Sequence, residues 1–148
     1  MQHHDLGQWP LVVSVSAGAP TLADTQDFAQ AWDDWLARGQ AFASLRVFTD
    51  AASLTHPPGS AQHVKQWFGR QAQAIREQVM GMASVVPAGE FERMSRMNVE
   101  KLFGVPAAIF ADLPSALAWL RDQVFAPRGL PFDEAAVMAA VRGKTDAR

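Results

Sequence analysis

The sequence predicts an α/β domain with a four-stranded, mostly parallel sheet in the order β-α-β-α-β-α-β-α, followed by a C-terminal helical tail. Three observations lead there. Short β-branched or apolar runs alternate with stretches whose apolar residues recur at helical spacing, turn residues separate the two, and 148 residues with 49% hydrophobic content suit one core. The domain is expected over residues 1–126 and the tail over residues 127–148.

Met1 to Asp5 read as a polar entry. The first strand is Leu11–Ser16, short and β-branched, stopped by Ala17-Gly18-Ala19-Pro20. Thr21 then supplies a helix N-cap, and Phe28, Trp32, Trp35 and Leu36 form the apolar stripe of the first helix, which Gly39 ends. Asp24, Asp27, Asp33 and Asp34 are read as its wet flank. The second strand, Ala41–Phe48, alternates Phe42, Ser44, Arg46 and Phe48 on one side with Ala43, Leu45 and Val47 on the other.

Thr49 to Ser60 is the longest turn-rich stretch, and Pro57-Pro58 bars regular structure within it. A second helix carries Val64, Trp67, Phe68, Ala72, Ile75 and Val79 on one face. Met80–Val86 then has the unbroken apolar character of a strand covered on both faces. A third helix is expected from Glu90 to about Phe103, a fourth strand over Val105–Phe110, and a helix capped by Asp112 with Leu113, Leu117, Leu120 and Val124 buried. In the tail, Pro131 to Val141 reads as a short helix whose Phe132, Val137, Met138 and Val141 could bury area against the domain or a second copy.

Composition narrows the functional classes. With no cysteine, the chain has no thiol nucleophile, disulfide framework or zinc ribbon, and it fits a reducing, cytoplasmic setting. A net charge of -2 gives no global attraction for nucleic acid, and the basic residues Arg93, Arg96 and Lys101 are offset by Glu90, Glu92 and Glu100. No apolar run has the length of a membrane span. The histidines His3, His4, His56 and His63 lack metal-ligand spacing, so no metal and no cofactor are expected. Ser14, Ser16 and Ser84 sit within strands without a nucleophile-elbow frame, and no phosphate-binding glycine loop is present. Trp9, beside Pro10, has no evident role in the pattern.

The architecture from Trp9 to Phe125 resembles the STAS-like group, the sulfate-transporter and anti-sigma-factor-antagonist domains together with SpoIIAA-like proteins. The resemblance rests on the first strand and helix ending in Trp35-Leu36-Ala37-Arg38-Gly39, on Thr49-Asp50 after the second strand, and on Phe110, Ala116, Trp119 and Leu120, which match an F-x-x-x-x-x-A-x-x-W-L ending. It implies a non-enzymatic regulatory module that binds a protein partner through the second helix and the loop before it. In some members a serine at that helix's start is phosphorylated. The antagonist motif Asp-Ser-x-Gly is absent here, leaving Ser53, Thr55 and Ser60 as the available hydroxyls, with Asp50 and His56 as the other polar candidates of the loop. The N-terminal hairpin of the group is read as reduced to one strand. The alternatives are a carrier of a small apolar ligand or lipid, which the SpoIIAA-like fold also suggests, and an enzyme using Arg46, Asp50 and His56.

Overall fold

The computed structural model describes residues 1–146. It is an α/β fold whose described residues form a mixed sheet of five strands, in the spatial order β1-β2-β3-β4-β5, and six helices. The strands are β1 (Gln2–Asp5), β2 (Leu11–Ser16), β3 (Phe42–Phe48), β4 (Val79–Val85) and β5 (Ala107–Phe110). The helices are α1 (Leu22–Leu36), α2 (Ser60–Gln78), α3 (Phe91–Ser95), α4 (Val99–Phe103), α5 (Leu113–Trp119) and α6 (Glu134–Asp146).

One strand more is present than the pattern predicted. The polar entry Gln2–Asp5 pairs antiparallel with β2, from Gln2 opposite Ser16 to Asp5 opposite Val13. Its residues QHHD lack β-branched or alternating apolar character, so the strand exists because β2 offers an open edge, not through propensity. The other four strands pair in parallel, as expected.

Helix starts follow their caps. Thr21 accepts from Asp24 N while the Asp24 carboxylate accepts from Thr21 N, closing a capping box on α1. The expected third helix is broken in two, because Asn98 accepts from Lys101 N and restarts the chain as α4. Asp112 caps α5 as predicted, and a π-helical turn over Leu120–Phe125 prolongs it.

The sheet separates two apolar layers. On one face Val12, Phe42, Val79 and Val105 meet Ala29, Trp32, Trp35 and Leu36 of α1 and Trp67 and Ile75 of α2. On the other, Val13, Val15, Leu45, Val47, Ala83 and Val85 meet Leu117, Leu120 and Val124. The alternation expected of Phe42–Phe48 is the one observed. Val137 and Val141 of α6 belong to this second layer, with Phe132 and Met138 packed against it, so the apolar residues offered to a second copy are used within the chain. A register shift at Phe42/Ala43 sets Gly81 opposite Ala43, where an added Cβ would lie 2.7 Å from Val124 Cγ2, so this close approach of strand and helix requires glycine.

Two side chains are reassigned. Asp33, read as wet, accepts from Trp67 Nε1 at 2.7 Å and Gln71 Nε2 at 2.8 Å and so ties α1 to α2. Trp9 stacks on Phe42 with ring centroids 5.2 Å apart, carries the Arg38 guanidinium 4.4 Å over its ring and donates to Gln40 Oε1 at 3.1 Å. No helix among the described residues is long and apolar enough to cross a membrane.

Candidate functional site

Parallel pairing of β2 with β3 brings their carboxyl ends side by side, so the turn before α1 and the loop Thr49 to Ser60 leave the sheet together. Asp50 joins them. Its two carboxylate oxygens accept from Gly18 N at 3.1 and 3.0 Å, and Oδ1 also accepts from Ser53 N at 2.9 Å, capping a 3-10 turn over Ala51–Leu54. Thr49 donates from both N and Oγ1 to Ser16 O, each at 2.9 Å. The loop is therefore held by hydrogen bonds at its start and by its prolines at its end.

The structure distributes the five candidate residues unevenly. Asp50 and Ser53 are brought together, Ser53 Oγ donating to Asp50 O at 2.6 Å from a side chain only 4% exposed. Thr55 donates to Ala52 O at 2.6 Å and is exposed, as is His56. Ser60 is the first residue of α2, 3% exposed, with its Oγ enclosed and without a hydrogen-bond partner. Of the three hydroxyls named from sequence, Thr55 is the one presented to solvent. Near the loop, two apolar side chains are exposed: Leu22 (38% exposed), whose Cδ2 lies 3.7 Å from where a Cβ on Gly59 would be, and Val64 (45% exposed) in the first turns of α2.

A polar row beneath α1 escaped the sequence reading. Ser14 lies opposite both His4 on β1 and Arg46 on β3, Arg46 opposite Ser84 on β4, and Ser16 beside Phe48, so these side chains share one face of the sheet. His4 Nδ1 is 2.8 Å from Ser14 Oγ, and the imidazole stacks on Phe28 at 5.5 Å and meets the edge of Trp35 at 5.2 Å. Arg46 places its guanidinium 4.0 Å over Phe28 and 4.5 Å over Phe48. Burial pulls the Arg46 pKa down to about 10. The available signal was Ser-x-Ser on β2 aligned with Ser-x-Arg on β3, polar residues on the inward side of buried strands. Without β1 the row had no edge.

No protein-family model, no curated protein and no solved structure matches the chain. Two open clefts, of about 580 and 420 Å³, lie away from the loop beside α4 and β5, the larger lined by Asn98, Glu100, Lys101, Gly104, Val105 and Pro106. Two basic side chains nearby are engaged in surface pairs, Arg93 with Glu90 at 2.7 Å and Arg96 with Glu92 at 3.1 Å, while Lys101 lines the larger cleft. Such pairs contribute little to stability.

His4 sets a pH dependence. Burial first, then the positive charge of Arg46, then His3 and Lys144, lower its pKa from 6.5 to about 4. Between those values the unfolded chain binds a proton that the native imidazole refuses, so stability is full above pH 6.5 and declines as pH falls toward 4. Urea midpoints measured at about pH 7 and about pH 5 should drop more for the wild type than for His4→Gln. Equal drops would remove His4 as the origin.

Proposed function

We propose that this protein is a non-enzymatic, STAS-like interaction module that docks a protein partner on the loop Thr49 to Ser60 and the first turns of α2. The observation that carries the reading is the loop's preorganisation by Asp50, with the exposed Leu22 and Val64 near it. A loop already ordered loses less conformational entropy on binding, and exposed apolar side chains next to ordered backbone are what a partner surface can bury. The antiparallel β1–β2 pair is consistent with the STAS-like reading, since it provides an N-terminal hairpin where the pattern predicts one strand.

The polar groups in the first half of the loop are mutually satisfied: the Asp50 carboxylate holds backbone N–H groups, and Ser53 and Thr55 bond neighbouring carbonyls. This arrangement suits a rigid recognition surface better than a reactive centre built on Arg46, Asp50 and His56. Arg46 lies under α1 against Phe28, whereas His56 is exposed on the loop. The carrier alternative finds less support, because the larger cleft is lined by Asn98, Glu100 and Lys101 alongside its apolar residues.

The test is partner capture by cross-linking with three proteins: wild type, Val64→Glu, and Leu102→Glu as a control on the exposed side of α4. A partner bound by wild type should be retained by the control and bind Val64→Glu at least roughly tenfold more weakly, a loss of about 1.4 kcal/mol. Equal binding by all three proteins would overturn the assignment of this surface.

A further inference from the structure

We propose that Arg46, with Ser16 beside it, forms a binding site for a small organic carboxylate in the layer between α1 and the sheet. Arg46 Nε is enclosed and has no hydrogen-bond partner, and no ion pair engages the guanidinium among the described residues. An enclosed N–H donor without a partner is costly, and native proteins satisfy such groups with protein, water or a ligand. Phe28 and Phe48 stabilise the cation through their ring faces, at 4.0 and 4.5 Å, but a ring face accepts none of the in-plane N–H bonds that a guanidinium donates.

A second unsatisfied donor lies on the same face. Ser16 Oγ is enclosed and unpartnered at the end of β2, one alternation beyond Ser14, the residue directly opposite Arg46. Guanidinium edge and hydroxyl together offer the planar, multiply donating geometry that a carboxylate accepts in bidentate fashion. The charge selects among oxyanions. His4, hydrogen-bonded to Ser14, is neutral at pH 7, so one guanidinium faces the layer and one negative charge balances it. A phosphate dianion would leave excess charge in a poorly solvated place. The enclosure of Nε also favours a small acid over a carboxylate fixed on the surface of a folded protein, since the anion must enter between helix and sheet.

This site uses side chains other than those of the docking loop, although Ser16 O also anchors Thr49, and its test does not involve a protein partner. The Arg46 Nε–Hε signal of the ¹⁵N-labelled full chain is followed by NMR while acetate, benzoate or inorganic phosphate replaces chloride at constant ionic strength. Saturable shifts of that signal and of the Ser14 to Ser16 amides are expected with acetate and benzoate. Arg46→Met, checked for a folded spectrum, should bind at least roughly tenfold more weakly. A wild-type Nε–Hε signal that moves only linearly would overturn the proposal, a result that needs no variant to fold. Unchanged affinity in Arg46→Met would do so too, and tighter saturation by phosphate than by either carboxylate would overturn the choice of ligand class.

Discussion

Ending the chain after Arg128 is expected to abolish cooperative folding, because α6 is part of the core layer on its face of the sheet and not an appendage. Val137 and Val141 are 2% and 5% exposed, and Leu130, Phe132 and Met138 pack against the same cluster. Burying one large apolar side chain stabilises by about 1.5–3 kcal/mol, so two full and three partial burials amount to about 5–10 kcal/mol. That is comparable to the about 5–15 kcal/mol by which a whole domain is stable. Removal would also uncover β2, whose Val13 and Val15 would then face water. The exposed Arg121–Glu134 pair, 3.0 Å long, adds little to this. Urea titration followed by circular dichroism checks the expectation. A truncated chain that still melts cooperatively within about 2 kcal/mol of the full protein would show that α6 contributes far less than its burial indicates.

Phe42→Ala is expected to cost about 3–5 kcal/mol, the largest effect of any single truncation on the opposite face. Phe42 has no exposed surface and sits at the start of β3, stacked on Trp9 at 5.2 Å and tilted against Trp32 at 5.6 Å. Its removal leaves a cavity among rings that are too rigid to collapse into it. Phe42→Leu, which keeps most of the volume, should cost less than about 1.5 kcal/mol. Tryptophan emission offers a local readout beside the denaturation midpoint, since two of the five tryptophans touch this ring. Equal midpoints for Phe42→Ala and wild type would mean that the site repacks freely.

The parts of this fold legible in the sequence are those governed by local chemistry. Thr21 and Asp112 announced helix starts because a side-chain oxygen reaches an N–H three residues on. Ala41 to Phe48 announced a strand through the alternation of its two sides, and Phe42–Phe48 is the strand observed. Loop chemistry was half legible: Thr49 to Ser60 stood out through its prolines, but the role of Asp50 depends on Gly18, 32 residues earlier, and could not be read locally. Arg46 was likewise visible on the same side of its strand as Phe42, whereas the unpartnered state of its Nε depends on what other elements bring to it.

The α/β class, the alternation of strands and helices, the caps and the apolar stripes followed from the sequence by itself, since each rests on spacing within a segment or on the succession of segments along the chain. The tertiary structure alone decided that Gln2–Asp5 is a strand, that α6 joins the core and that Arg46 Nε lies enclosed beneath α1 with no partner among the described residues. A polar tetrapeptide pairs when a neighbouring edge presents free backbone groups. A tail helix docks when a face of the sheet is left uncovered, and an N–H donor lacks a partner only by virtue of everything packed around it.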